Sequence, residues 1–170
     1  KCNHGCKWHY IIKNKKEFLN TKPIFNLVKQ NITGWMEQEY WCWGGFEMQY
    51  KEIEPKILIE PLFRENINED YQKIQVYCFQ GMPKITIKIY NTQEISIYDA
   101  KLDITEDIFD TDPQKRYIEA DKNIKLAVNL SENIAKEFKF VRLDWFIYKD
   151  NLYFEEFTFT PYSGFYTFKN

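Results

Sequence analysis

Hydrophobic and polar residues alternate in two neighbouring runs near the carboxyl end of the chain. Residues 140–146 and residues 152–161 are both rich in aromatic and branched side chains. The segment between them, Lys149-Asp150-Asn151, has the composition of a tight turn. This pattern predicts an antiparallel β-hairpin.

The two-residue period of a strand decides which side chains share a face of this hairpin. Matching faces would carry Arg142, Asp144, Phe146, Phe154, Glu156 and Thr158. Carboxylates that approach one another on a sheet repel, and removing them from water is costly unless a positive charge intervenes. Two interpretations stay open here. The cluster is either an Arg–Asp–Glu ion network on a solvated face or a site for Mg²⁺, which prefers hard oxygen ligands.

The same kind of pattern predicts further strands and a helix. Residues 85–97 alternate between apolar and polar side chains around a polar turn, which predicts two strands. Residues 98–119 are acidic and typical of a loop. Residues 123–138 are predicted to be a helix, because one stripe recurs with the helical period: Ile124, Ala127, Leu130 together with Ser131, Ile134 and Phe138.

The first part of the chain is less regular. A strand is predicted at residues 10–12, followed by a basic turn at residues 13–16. A short helix is expected after Pro23, and the apolar run at residues 56–59 predicts a buried strand. Residues 35–50 are crowded with aromatic side chains, for which we favour core filling over a substrate platform or a docking face.

Composition narrows the classes of function. The 170 residues suit one domain or one and a half, and the net charge of −2 argues against nucleic-acid binding, which needs clustered Lys and Arg. No apolar run approaches the ~20 residues needed to cross a bilayer. The polar start predicts no signal peptide, and the missing initial Met indicates an excerpt or a processed fragment. The spacing of the four cysteines predicts reduced thiols rather than disulfides.

Residues 1–9 combine a central glycine with possible ligands. A glycine turn with free backbone N–H groups can cradle a phosphate, and an ordinary polar turn is the alternative. The segment also carries side chains that ligate zinc: Cys2, His4, Cys6 and His9. It lacks the Cys-x-x-Cys spacing that is usual for structural zinc, so zinc is the less favoured interpretation.

Taken in order, these segments resemble the TupA-like branch of the ATP-grasp fold, which is named for teichuronopeptide synthesis. Each motif is moderately specific alone, but their order and spacing cover nearly the whole chain. The motifs that carry the resemblance are Lys1-x-Asn3-His4-Gly5-x-x-Trp8, Gly81-x-Pro83-Lys84, Arg142-x-Asp144 and Glu156-x-Thr158-x-x-Pro161.

The resemblance implies an α+β, ATP-grasp-like fold, with antiparallel sheets, packed helices and a nucleotide held between two subdomains. Residues 1–62 would form the small subdomain, with the phosphate loop and the hinge strand. Residues 63–170 would form the large subdomain, with the Mg-binding hairpin. The resemblance also implies a hairpin at residues 71–84, around Gly81. The amino-terminal domain that such enzymes usually carry is expected to be absent from this chain.

ATP and Mg²⁺ are the implied cofactors. By resemblance, the residues that contact the nucleotide are Lys1, Asn3, His4, Gly5, Cys6 and Glu60. Asp144, Glu156 and Thr158 would hold Mg²⁺, and Arg142 would contact the transferred phosphoryl group as the catalytic residue. The chain departs from the family pattern at Cys6 for Ser, Lys7 for Gly, Lys73 for Asp, Gln75 for Lys and Thr158 for Asn; Asp70 is a candidate substitute for the missing Asp.

The function implied by the resemblance is that of a carboxylate–amine ligase acting through an acyl phosphate. Its partners would be a nucleotide, a carboxylate-bearing saccharide of the bacterial surface or capsule, and an amine. The reaction would take place in the cytoplasm or at the inner face of the membrane. A kinase or phosphotransferase, and a degenerate nucleotide-binding domain without catalysis, are the alternatives, and a glycosyltransferase fits less well.

Overall fold

The computed structural model describes residues 1–43, 47–62, 72–91, 93–105 and 114–164. The chain divides into two compact units, Lys1–Ile67 and Asn68–Asn170. We describe each unit by itself, as unit 1 and unit 2.

Unit 1 is helical in its described part. Its helices are α1 (Lys15–Asn20), α2 (Lys22–Met36) and α3 (Tyr40–Trp43), followed by a 3-10 turn at Met48–Tyr50. The helix expected after Pro23 is confirmed, but the predicted basic turn at residues 13–16 is wrong, because α1 begins within it. Asn14 caps α1 by accepting a hydrogen bond from the backbone N–H of Glu17. Pro23 lies in the first turn of α2, where a missing N–H costs nothing, so it begins the helix.

Two strands that the sequence predicts in unit 1 are wrong. Residues 10–12 form no strand, and the apolar run at residues 56–59 makes only an isolated bridge, between Cys2 and Ile57. The run is not buried either, since Ile57 is 50% exposed and Ile59 is 93% exposed. An apolar run does not form a buried strand without neighbouring strands to accept its backbone hydrogen bonds.

Unit 2 is built on a six-stranded sheet with the strand order β4-β3-β2-β1-β5-β6. Its strands are β1 (Gln72–Phe79), β2 (Met82–Ile89), β3 (Glu94–Tyr98), β4 (Gln114–Lys115), β5 (Phe140–Tyr148) and β6 (Asn151–Thr158). Neighbouring strands run antiparallel except β3 and β4, which are parallel, so the sheet is mixed. The α+β class and the predicted hairpins are confirmed.

Both tight hairpin turns place two consecutive residues in the left-handed region. Gln80 and Gly81 join β1 to β2 with φ values of 52° and 76°, and Lys149 and Asp150 join β5 to β6 with φ values of 48° and 62°. Positive φ at both central residues is the conformation whose twist suits a two-residue hairpin. The turn chemistry of the sequence therefore located the β5–β6 hairpin correctly, and the family resemblance located the β1–β2 hairpin.

Helix α4 (Lys122–Ala135) packs on one face of this sheet and makes the main core. Asp121 caps its first turn by accepting hydrogen bonds from the N–H groups of Asn123 and Ile124. At the predicted pair of Leu130 and Ser131, Ser131 is fully buried but Leu130 is 38% exposed. The helix ends at Ala135, so its predicted extension to Phe138 is wrong. The cost of burying the Ser131 hydroxyl is offset because its oxygen accepts a hydrogen bond from the indole N–H of Trp145 on β5, at 2.9 Å.

Across the described residues, none of the helices has both the length and the apolar character that crossing a bilayer requires.

Candidate functional site

The predicted cluster lies on the face of the unit 2 sheet that points away from α4. In the register of β5 with β6, Arg142 is opposite Thr158 and Asp144 is opposite Glu156. The neighbouring residues of β5, Val141, Leu143 and Trp145, belong to the core beneath α4. The prediction that the two hairpin faces coincide at these four residues is therefore confirmed.

A β-bulge changes the rest of that face. The register shifts between Asp144 and Trp145, so Phe154 pairs with Trp145 while Glu156 pairs with Asp144. Phe154 consequently lies on the α4 side, and its predicted place beside Glu156 is wrong. Glu155 is the extra residue of the bulge. Regular alternation along β6 would place its carboxylate on the opposite face, but it accepts a 2.7 Å hydrogen bond from Lys73 Nζ of β1, on the site face.

Arg142 and Asp144 form the centre of the cluster. Arg142 Nε donates to Asp144 Oδ1 at 2.6 Å, and Nη2 donates to Oδ2 at 2.7 Å. The Asp144 side chain is only 2% exposed. Burial by itself would lower the pKa of Arg142, but the hydrogen bonds and charge of Asp144 raise it above its ordinary value. Both groups are therefore held as a buried, charged pair.

Neutral groups complete the contacts of this pair. Arg142 Nη2 also donates to Thr158 Oγ1 at 3.1 Å, and Gln75 Nε2 of β1 donates to Asp144 Oδ2 at 3.2 Å. Sequence reasoning treated Gln75 and Lys73 only as departures from a family pattern. Their alternation along a strand that pairs with β5 is the signal that could have placed them on this face.

Glu156 is the most exposed carboxylate of the cluster. Its side chain is 57% exposed, and Arg142 Nη2 lies 4.0 Å from its Oε1. Loss of water and the negative charges of Asp144 and Glu155 raise the pKa of Glu156 above its ordinary value. A carboxylate in such surroundings would be stabilised by added positive charge.

The donor types on this face suit Mg²⁺, because carboxylate and hydroxyl oxygens are the ligands it accepts. The neutralising charge on Asp144 in this structure is nevertheless Arg142. In the residues that the structure describes, no group of three His, Cys, Asp or Glu side chains is placed to hold a metal ion. The same finding applies to the zinc interpretation of residues 1–9.

The glycine loop of unit 1 is tied to the segment that follows the 3-10 turn. Asn3 Oδ1 accepts a hydrogen bond from the N–H of Lys56 at 2.7 Å, and Asn3 Nδ2 donates to the carbonyl of Glu54 at 3.0 Å. His4 is 3% exposed, and its Nε2 donates to the carbonyl of Trp35 at 2.9 Å. Cys6 is exposed and lies beside the Tyr40 hydroxyl.

Two features of this loop explain the residue pattern of residues 5–8. A Cβ atom on Gly5 would lie 2.3 Å from Trp8 Cε3, and Trp8 is itself held by stacking on Trp35 and by an edge contact with Tyr40. Lys7, where the family pattern has Gly, has a φ of 62°. The loop therefore keeps the left-handed conformation that glycine adopts most easily, and Lys7 adopts it at some cost in strain.

We expect Gly5→Ala to lower the free energy of unfolding by about 1–3 kcal/mol, because the new methyl group overlaps a ring that cannot easily move. Urea denaturation followed by tryptophan fluorescence measures it. Gly34→Ala is the matched control. Gly34 lies in α2 with nothing near its would-be Cβ, so that change should stabilise by up to about 1 kcal/mol. Equal effects of the two changes would contradict the packing argument.

Lys1 and Glu60 meet at the edge of a cavity in unit 1. Lys1 Nζ lies 2.7 Å from Glu60 Oε2, and both side chains are about half exposed. The cavity has a volume of about 970 Å³. Its wall is mostly apolar with a basic rim, and includes Ile57, Leu58, Phe25, Val28, Lys15 and Lys29. This size is within the range of small-molecule sites.

The predicted site residues thus fall into two groups. The structure places Arg142, Asp144, Glu156 and Thr158 together on one sheet face of unit 2. The predicted nucleotide contacts lie in unit 1: Lys1, Asn3, His4, Gly5, Cys6 and Glu60. Asp70, the candidate substitute for a family Asp, lies outside the described residues.

An α+β fold with a mixed six-stranded sheet is consistent with an ATP-grasp-like fold. A family model described as TupA-like ATPgrasp matches residues 1–170. The chain belongs to this family, whose members generally use ATP and Mg²⁺, and membership supports a ligase-type role. No match was found among curated proteins, and none among solved structures.

Proposed function

We propose that this chain acts as an ATP- and Mg²⁺-dependent carboxylate–amine ligase. The observation that carries the proposal is the Arg142, Asp144, Glu156 and Thr158 face, which brings the residues of two separate family motifs into one register. Activation of a carboxylate as an acyl phosphate spreads negative charge over phosphoryl oxygens, and fixed positive charge stabilises it.

Arg142 is the residue we assign to the transferred phosphoryl group. Its guanidinium is oriented by Asp144 on one edge and by Thr158. A donor held in place before the reaction needs no reorganisation when charge develops, and losing one such contact typically costs about 10²–10³ in rate.

Asp144, Glu156 and Thr158 are the residues we assign to Mg²⁺, with Thr158 contributing a neutral hydroxyl in the place of the family's Asn. When bound, the ion would supply positive charge to the phosphate oxygens and to the carboxylate of Glu156. Because Asp144 already accepts hydrogen bonds from Arg142 and Gln75, Glu156 is the carboxylate with most freedom to meet an added cation.

Unit 1 is assigned to the nucleotide. The cavity beside Lys1 and Glu60 is apolar enough to enclose an aromatic base, and Lys1 offers an exposed ammonium group to a phosphate. A bound phosphate would replace Glu60 as the partner of Lys1. The free-energy cost of breaking the Lys1–Glu60 pair is small, because exposed ion pairs contribute about 0–1 kcal/mol. Asn3, His4, Gly5 and Cys6 would shape the covering loop.

The acceptors are proposed from the family setting. A carboxylate on a bacterial surface or capsular saccharide would be activated, and an amine would then attack the acyl phosphate with release of phosphate. We propose the cytoplasm, or the inner face of the membrane, as the place of this reaction.

A second candidate, nucleotide binding without turnover, is favoured by one observation. Arg142 makes a two-bond contact with a buried Asp144, so Nε and Nη2 of the proposed catalytic cation are already engaged within the protein. ADP formation that depends on both acceptors would support the ligase, and nucleotide binding without any ADP formation would support the binding domain.

The first test is calorimetric titration with a non-hydrolysable ATP analogue in the presence of Mg²⁺. We expect the unaltered protein to bind with a dissociation constant near 1 μM, about −8 kcal/mol, and Glu156→Ala to bind at least about tenfold more weakly. Glu132→Ala, an exposed carboxylate on α4 away from this face, is the control and should bind normally. Equal binding by all three proteins would show that Glu156 does not contribute to the site.

A further inference from the structure

The cavity of unit 1 has a wall that is both apolar and exposed. Among the described residues, twelve of the nineteen that line it are apolar. Eight of these twelve are between 37% and 93% exposed, with Ile59 the most exposed of them. Monomeric soluble proteins rarely expose so many neighbouring apolar side chains, and such a surface marks a site for a ligand or a partner.

The two helices beside the cavity have almost no core of their own. In α1 no residue is buried, and in α2 only Val28 is buried. Several of their apolar side chains line the cavity instead, where the rings of Phe18 and Phe25 lie 5.5 Å apart. Most of the stability of a helix in a protein comes from burying an apolar face. A bound apolar group would therefore cover side chains that the chain itself leaves open.

The charge of the lining favours an anion. In the described part of the chain, its charged groups are three lysines and one carboxylate: Lys1, Lys15, Lys29 and Glu60. Glu60 is already paired with Lys1. Neither Lys15 nor Lys29 forms an ion pair with another described residue. An anionic group in the cavity would therefore meet two ammonium groups without having to displace a carboxylate.

We propose that this cavity binds a single-chain amphipathic anion, a long hydrocarbon chain that ends in a phosphate, in competition with the nucleotide. The competition rests on the proposed function, whereas binding of the amphiphile does not. An aromatic base covers only a few apolar side chains, and its polar edges need hydrogen bonds that Ile, Leu and Phe side chains cannot offer. A hydrocarbon chain makes no such demand, so it can cover the apolar wall while Lys15 and Lys29 bind its head group.

Dodecyl phosphate, kept below the concentration at which it forms micelles, is the probe. Calorimetric titration of the full chain should show one molecule bound, with a dissociation constant of about 1–100 μM. Decyl phosphate should bind at least about tenfold more weakly, because each buried methylene changes the affinity about fourfold. Dodecyltrimethylammonium has the same chain and the opposite charge, so it should also bind at least about tenfold more weakly. Inorganic phosphate, which has no chain, should show no binding.

A matched pair of variants tests the head-group contacts. Lys15→Gln/Lys29→Gln should weaken the binding of dodecyl phosphate at least about tenfold, because both ammonium groups that meet the phosphate are gone. Lys16→Gln/Lys22→Gln is the control. It removes the same charge from the same two helices, but these lysines do not line the cavity. The control should change the affinity by less than about twofold.

A second pair tests the apolar wall. Leu19→Gln places a polar amide on the wall and should weaken the binding of dodecyl phosphate about three- to tenfold. Leu27→Gln is the control, because Leu27 does not line the cavity. The two leucines are almost equally exposed, at 51% and 54%, so neither change should affect folding strongly. The control should leave the affinity within about twofold.

The competition is measured with the non-hydrolysable ATP analogue bound to equimolar Mg²⁺, the Mg–nucleotide, so that little free Mg²⁺ is left to bind the amphiphile. Dodecyl phosphate at ten times its dissociation constant should raise the apparent dissociation constant of the Mg–nucleotide about tenfold. Thermal unfolding is followed in parallel. A ligand of the folded state raises the midpoint, whereas a denaturing surfactant lowers it.

The outcomes separate the inference from the proposed function. Binding that depends on the chain, on the head-group charge and on the two cavity variants, together with competition, supports the inference. Equal affinity for both head groups, equal effects of cavity variants and controls, a lowered unfolding midpoint or an unchanged affinity for the Mg–nucleotide overturns it, and the proposed function stands. A protein that binds only the Mg–nucleotide also overturns the inference alone. If it binds only the amphiphile, the proposed function and the competition fail, and the amphiphile site stands.

Discussion

Replacing Arg142 with Met is expected to lower the free energy of unfolding by about 3–5 kcal/mol. The change leaves the carboxylate of Asp144, 2% exposed, without the two charge-assisted hydrogen bonds that compensate its burial. An uncompensated buried charge is among the most destabilising changes in a protein, and Gln75 can offer only one neutral hydrogen bond. Urea denaturation gives the free energy directly.

The double variant Arg142→Met/Asp144→Leu separates the cost of a stranded charge from the value of the pair. Two apolar residues of similar volume should recover most of the lost stability, because a buried ion pair often contributes little over an apolar substitute. A double variant as unstable as the single one would contradict this account. The double variant should also fail to bind the Mg–nucleotide, since two of the four polar side chains of the proposed site are gone.

The expected recovery has a consequence for function. If the buried pair adds little to stability, folding alone does not require it. Its place on the sheet face opposite α4, next to the exposed Glu156, then fits a role in binding charge. Glu156, exposed and opposite Asp144 in the register, is where an added cation would be most stabilised.

The sequence predicted unit 2 well because its signals are local. Two-residue turns fix the register of the strands they join, and the alternation of residues then fixes the faces. The sequence therefore predicts that one sheet face carries Arg142, Asp144, Glu156 and Thr158. The bulge at Glu155 could not be predicted, because the adjacent Glu155 and Glu156 are chemically alike and nothing local decides which of them is the extra residue.

Unit 1 was predicted less well for a different reason. The apolar run at residues 56–59 has strand composition, but it makes one isolated bridge and lines a cavity instead. Strand formation depends on partners distant in sequence, which a local pattern does not reveal. The contacts of His4 with Trp35, and of Asn3 with Lys56, likewise join residues far apart in the chain.

Replacing Trp145 with Ala is expected to cost about 3–5 kcal/mol in the free energy of unfolding, the usual range for a large aromatic residue in a core. Trp145 is 5% exposed and joins three elements. Its ring packs edge-on against Phe154 of β6 at 5.3 Å, and its indole N–H donates to Ser131 of α4. The change would leave both a cavity and a buried hydroxyl without this donor.

The effect should extend to the site face, because Trp145 lies on one side of the bulge. Its pairing with Phe154 and its bond to α4 fix the strand immediately after Asp144, and thereby the position of Glu156. Trp145→Phe keeps most of the ring, so it should be more stable than Trp145→Ala. Trp145→Phe/Ser131→Ala also removes the hydroxyl that has lost its donor, so it should be more stable again. We expect binding of the Mg–nucleotide to recover in parallel under conditions where every variant is folded. Normal binding by folded Trp145→Ala would show instead that the bulge holds its shape without the tryptophan, and that Lys73 and Glu155 are sufficient to fix it.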